Sequence, residues 1–137
     1  MRKIALDVGD VRIGIATSDP MGIIASGYQT YTRTKDIDVD MQFFAKLAKD
    51  SACDTFVLGL PLNMDSTEGP RVVKTREFAD KLAQFTDIKI AYQDERWSTV
   101  SAEKMLINSG VRRENRKKVI DKVAATIILQ SYLDRIH

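Results

Sequence analysis

Three carboxylates stand where the surrounding sequence is apolar: Asp7 in IALDVGDVRIGIATS, Glu95 in IAYQDERWST, and Asp121 in KKVIDKVAATIILQSYL. A carboxylate in a buried or half-buried segment must be paired, bound to a cation, or poorly tolerated. Separate in sequence, these three can converge in space, and hard oxygen donors of this kind suit Mg²⁺ or Mn²⁺. Two divalent ions held by such a set hydrolyse phosphodiesters without a histidine, one activating water and one stabilising the leaving oxygen.

Other chemistries lack their residues. The only histidine is His137 and the only cysteine is Cys53, which leaves almost nothing for a Ser-His-Asp or Cys-His nucleophile or for a histidine/cysteine zinc site. Each acid also has a plainer reading. Asp7 could cap a turn, Glu95 could pair with Arg96 or Arg12, and Asp121 could be a first-turn acid favoured by the helix dipole.

Two further segments bear on a phosphodiester ligand. The loop GLPLNMDSTEGPR leads into a helix at about Pro70, where backbone N–H groups can receive a phosphate and Asn63, Thr67 and Arg71 can contact a sugar-phosphate backbone. The run VRRENRKK at 111–118 carries five basic residues, Arg112, Arg113, Arg116, Lys117 and Lys118, against one acid, Glu114. Most such runs are solvated loops, but beside a phosphodiester site they would neutralise phosphates and make binding salt-sensitive. Arg12 and Arg96, next to the acids, join the same basic set. Trp97 could stack on a base or simply pack.

The elements that must position these groups follow from patterning. KIALDV, RIGIATS and roughly IIASGYQTY are short β-rich runs with brief connections, which implies an antiparallel meander. A helix over about 40–52 carries Met41, Phe44 and Ala48, and TFVLGL then reads as a fully buried strand. A helix from about Pro70 carries Phe78, Leu82 and Phe85, and DIKIAYQ is the fifth strand. Ser98 is a plausible N-cap for a helix ending near Gly110. The last helix shows an apolar stripe of Ile120, Val123, Ala124 and Ile127 that continues through Ile128, Tyr132 and Ile136, with Asp121 on the face of Ala125 and Ile128. The order βββαβαβαα predicts a mixed sheet of five strands covered by helices, with ligands at the carboxyl ends of the parallel strands.

At 137 residues, 44% hydrophobic, 29% charged and a formal net charge of +2, the chain is expected to form one α/β domain over 1–137 with a sizeable core. One cysteine leaves no intramolecular disulfide. MRKIALDVGD reaches an acid before any long apolar stretch, so neither a signal peptide nor a membrane span is expected and the location is cytoplasmic.

Four motifs in order, DVGDVRIGIATSD, VLGLPLNMDSTEGP, YQDERWSTVSAE and DKVAATIILQSYL, resemble the YqgF/RuvX family over nearly the whole chain. That family belongs to the RNase H-like superfamily and is similar to the Holliday junction resolvase RuvC. The resemblance implies sheet order 3-2-1-4-5 with strands 1–3 antiparallel, a site for Mg²⁺ or Mn²⁺, and nuclease action on the precursor of 16S ribosomal RNA in ribosome assembly. It assigns the metal and catalytic acids to Asp7, Glu95 and Asp121, the same three residues. RuvC-like enzymes carry a further acid one turn along the last helix, and Ala124 stands at the matching position here; Ser66 stands where the family's loop usually has glycine.

Two readings compete with a precursor-rRNA nuclease. A Holliday junction resolvase shares the chemistry but needs two active sites, hence a dimer. A non-catalytic nucleic-acid or ribosome-assembly binder would keep the fold and hold metal poorly. The glycine-bearing DVGDVRIG also resembles a phosphate loop of actin-like phosphotransferases, but 137 residues provide one lobe and no second phosphate loop.

Overall fold

The computed structural model describes residues 1–63, 65, 67–95 and 113–137, and over 113–119 the backbone alone. Five strands form one sheet: β1 (Arg2–Val8), β2 (Arg12–Ser18), β3 (Ala25–Thr32), β4 (Cys53–Leu60) and β5 (Lys89–Asp94). Their order is β3-β2-β1-β4-β5, with β1–β2 and β2–β3 antiparallel and β1–β4 and β4–β5 parallel. The expected mixed sheet is therefore present, and its topology is the one the resemblance implies.

Among the described residues three helices cover it: α1 (Ile37–Asp50), α2 (Pro70–Ala83) and α3 (Arg113–Ile136). Asp36 caps α1, accepting from the Asp38 N–H, and Pro70 opens α2 where a missing N–H costs nothing. The expected helix between Ser98 and Gly110, with Trp97 before it, lies outside the described residues. No described helix is long and apolar enough to cross a membrane.

Strand parity sorts the core into two halves of different texture. On one face Ile4, Leu6, Ile13, Ile15, Phe56 and Leu58 pack with Met41 and Phe44 of α1 and Phe78 and Leu82 of α2. On the other, Ala5, Ala16 and Val57 meet Ala125, Ile128, Leu129, Tyr132 and Leu133 of α3. The second face is built from small residues, so α3 lies close to the strands.

The buried stripe of α3 is Ala124, Ala125, Ile128, Leu129, Tyr132 and Leu133. This corrects the stripe read from periodicity, because Ile120, Val123 and Ile127 are only half-buried and Ile136 is 46% exposed. The helix is apolar over much of its girth, and the side that turns inward is the one whose small residues fit against the alanines and glycines of the sheet. That side carries Asp121.

Candidate active site

Asp7 is the penultimate residue of β1, on the α3 face with Ala5. Its ladder partner on β2 is Gly14. A Cβ at Gly14 would fall 1.9 Å from the backbone oxygen of Asp121, so the absence of a side chain there lets α3 touch the sheet and sets Asp121 over Asp7. Asp121 is the ninth residue of α3, which removes the first-turn dipole explanation for its presence.

Glu95 follows β5 directly, and its N–H continues the ladder by donating to the Leu60 carbonyl at 3.2 Å. Parity places it with Ala91 and Gln93 on the α3 face. Gly59, paired with Gln93, leaves the room it needs: a Cβ at Gly59 would lie 2.6 Å from both Glu95 Oε2 and Ile128 Cδ1. Asp7, Glu95 and Asp121 thus line one cleft of about 310 Å³ together with Val8, Gly9, Pro61, Leu62 and Arg71.

Among the described residues the cleft crowds its three carboxylates together, with Arg71 as the cation that lines it. Burial is the main cause that raises Asp7, to about 6, and Asp121 adds repulsion. Burial and the neighbouring Asp7 charge raise Glu95 further, to about 9. The two therefore titrate as a pair that keeps one proton at neutral pH, with Glu95 donating a hydrogen bond to the Asp7 carboxylate. Arg71 opposes both shifts. Asp121 is engaged elsewhere, accepting from Arg12 Nε at 3.0 Å; Arg12, considered above as a partner for Glu95, belongs to Asp121 instead.

A divalent cation suits this donor set. Asp7 and Glu95 present half-buried, hard oxygen ligands, and the proton they share is one that a bound cation would replace. Among the described residues no three acidic, histidine or cysteine side chains stand as a closed metal cage; the third carboxylate, Asp121, is held to the side by Arg12.

The remaining sequence-nominated residues divide. Arg71, the second residue of α2, lines the cleft and donates through Nη1 to Asp10 at 2.9 Å. Asn63 and Thr67 do not line it. Asn63 Nδ2 donates to Thr67 Oγ1 at 3.0 Å, the Asn63 N–H donates to the Thr67 carbonyl at 2.9 Å, and the Thr67 hydroxyl and N–H are taken by Asp65. These bonds hold the loop in shape. Arg96 and Arg112 lie outside the described residues, as do the side chains of Arg113, Arg116, Lys117 and Lys118. Gly14 and Gly59 escape a reading of chemistry-bearing residues because their contribution is space. The signal was their place in alternating strands otherwise filled by apolar side chains.

The family model described as "RuvX: Holliday junction resolvase" matches residues 1–135. Curated relatives include a protein of Streptococcus thermophilus, 44% identical over 99% of both chains, and one of Streptococcus equi subsp. equi, 46% identical over 98% of both; each is named "Putative pre-16S rRNA nuclease". Among solved structures, Thermus thermophilus RuvC in complex with Holliday junction substrate aligns with 99% of this chain and 96% of its own at a TM-score of 0.58 and 8% identity. That likeness concerns the fold, which is RNase H-like. A match along nearly the whole length and relatives above 40% identity agree with the four motifs: this chain belongs to the RuvX family.

Proposed function

We propose that this chain is a nuclease, a single-domain phosphodiester hydrolase acting in the cytoplasm on the precursor of 16S rRNA during ribosome assembly. The observation that carries the reading is the convergence of Asp7, Glu95 and Asp121 in one cleft at the carboxyl ends of β1 and β5. The names of the streptococcal relatives supply the substrate.

Asp7 and Glu95 would hold Mg²⁺ or Mn²⁺, joined by Asp121 once Arg12 releases it. When bound, the cation supplies a water of lowered pKa and neutralises charge on the phosphoryl oxygens. The chain's own groups do the rest. The Asp7–Glu95 pair gives up its proton as it becomes a ligand pair. Arg71, beside both acids, orients a phosphate of the substrate, and Arg12, freed from Asp121, can do the same.

Purified wild type and Asp7→Asn, incubated with labelled 16S precursor, a four-way DNA junction and plain single-stranded RNA in Mn²⁺, Mg²⁺ or EDTA, test this directly. Metal-dependent cutting of the precursor by wild type alone is the expected result. Cutting confined to the junction would move the activity to branched DNA, a reading the family's description favours. Binding without cutting would favour an assembly factor, in keeping with the fully buried Ala124 at the position of a fourth acid.

A further inference from the structure

On the far side of Arg71 from the carboxylates lies a groove of about 550 Å³, floored by Phe78 and Ile37 and reached across the β1–β2 turn at Gly9 and Asp10. Arg71, Lys74 and Lys81 of α2 and Arg33 after β3 border it. Residues 71, 74, 78 and 81 share one helix face, so the three cations of α2 form a row about 15 Å long with an aromatic ring within it. Such a row spans several phosphates of a strand that advances about 3.4 Å per phosphate along a duplex axis.

Each of these cations already has an anionic or carbonyl partner. Asp10 accepts from Arg71 Nη1 at 2.9 Å and from Lys74 Nζ at 3.3 Å. Lys81 Nζ lies 3.2 Å from Asp38, while Arg33 donates to the Gly9 carbonyl at 2.9 Å and stands 3.9 Å from Asp40. Glu77 is the other acid on the wall. Asp10, Arg71 and Lys74 are all at least half exposed, so these pairs are weakly held and readily exchanged. Asp10 is shared by two cations, and it reaches them from the turn that immediately follows the Asp7 strand.

Resting on the nuclease reading above, we infer that this groove is a second nucleic-acid subsite, which takes the backbone phosphates of the strand running on from the cleft. Asp10 is its resident stand-in anion, displaced from Arg71 and Lys74 when a phosphate arrives. Arg71 borders both spaces and so couples them: its release from Asp10 leaves the guanidinium free to face the phosphate at the carboxylates. A polyanion fits better than a small anion because the cations are strung along the helix instead of gathered around one point.

The test is binding of a fluorescein-labelled RNA spanning the 5′ end of the 16S precursor, in EDTA to prevent cutting, read by anisotropy across a salt series. Lys74→Glu combined with Lys81→Glu is expected to weaken binding about 10-fold or more and to lower the salt slope by roughly one per lost phosphate contact. Asp10→Asn is expected to tighten it about 3-fold. Lys74 and Asp10 are exposed and Lys81 is half-buried, and circular dichroism melts verify that the variants fold. Unchanged affinity and slope in the double variant would overturn the subsite while wild-type cutting left the nuclease reading intact. Wild type that binds no RNA or junction DNA at any salt would overturn both.

Discussion

Gly59 and Glu95 occupy one space. The hydrogen of Gly59 points to where the Glu95 carboxylate lies, and a Cβ in its place would come within 2.6 Å of Oε2. Gly14 holds the same relation to Asp121, except that the obstructed atom is backbone, at 1.9 Å. Two of the three acids therefore owe their positions to glycines on neighbouring strands, and the kind of atom displaced decides what each substitution does.

Gly59→Ala presses on the ends of two side chains, Glu95 and Ile128, which can rotate away. A stability loss of about 1–3 kcal/mol is expected from overpacking, with Glu95 displaced by enough to lower kcat about 100-fold. A chemical denaturation curve beside a cleavage assay checks this; wild-type activity in a folded Gly59→Ala protein would show that Glu95 needs no such room.

Gly14→Ala presses on the backbone of α3, which cannot move without lifting the helix from β2. A loss of about 3 kcal/mol or more is expected, greater than for Gly59→Ala. Thermal melts of the two variants side by side decide the order.

The three acids were legible because each interrupts an apolar segment, and the sheet order followed from four motifs in sequence. Asp10 was not, since an acid in an exposed turn has no local oddity; its pairing with Arg71 and Lys74, more than 60 residues away, exists only after folding. Asn63 and Thr67 have the right chemistry for a phosphate, yet sequence cannot tell a loop side chain aimed at a ligand from one that bonds its own loop. The inward face of α3 was ambiguous for a related reason: Ile127 and Ile128 are equally apolar, and only the shallow glycine and alanine surface of β1, β2 and β4 selects between them.

Stability of the metal-free protein should fall as pH rises. The folded Asp7 and Glu95 bind protons more tightly than their unfolded values of 3.8 and 4.5, with folded values near 6 and 9. Between these limits the native state holds more protons than the unfolded state, so the slope of unfolding free energy with pH is negative. The contribution is intact below about pH 4 and lost by about pH 9. Melting temperatures in EDTA from pH 5 to 9 measure it, and Glu95→Gln, which keeps a donor toward Asp7, should flatten the curve.

Arg12 restrains Asp121 through a partly exposed contact, Nε to Oδ2 at 3.0 Å. Such pairs are worth up to about 1 kcal/mol, so Arg12→Gln should leave stability nearly unchanged and tighten Mn²⁺ binding by up to about 5-fold. Titration calorimetry with Mn²⁺ reads the difference directly. Weaker binding would mean that Arg12 supports the ion site instead of holding a ligand away from it.

A fourth acid provides the contrast that separates function from architecture. Asp40 is 1% exposed, and its Oδ1 accepts from the Tyr31 hydroxyl at 2.7 Å, the Thr34 N–H at 3.0 Å and the Thr34 hydroxyl at 2.9 Å. Burial, with Asp40 next to it, pushes Tyr31 up to about 12. Oδ1 is thus held by three donors of the chain, while Oδ2 accepts no hydrogen bond and stands 3.9 Å from Arg33 Nε, an arrangement unlike the proton-sharing pair at Asp7. Asp40→Ala should therefore cost about 2–4 kcal/mol and leave Mn²⁺ affinity unaltered. Asp7→Asn should do the reverse, stabilising the metal-free fold by about 1 kcal/mol or more at pH 8 while abolishing tight Mn²⁺ binding and cleavage. Urea melts and Mn²⁺ titrations on the two variants give opposite signs if Asp7 is a ligand held in place by the fold, and the same sign if it is one more structural acid.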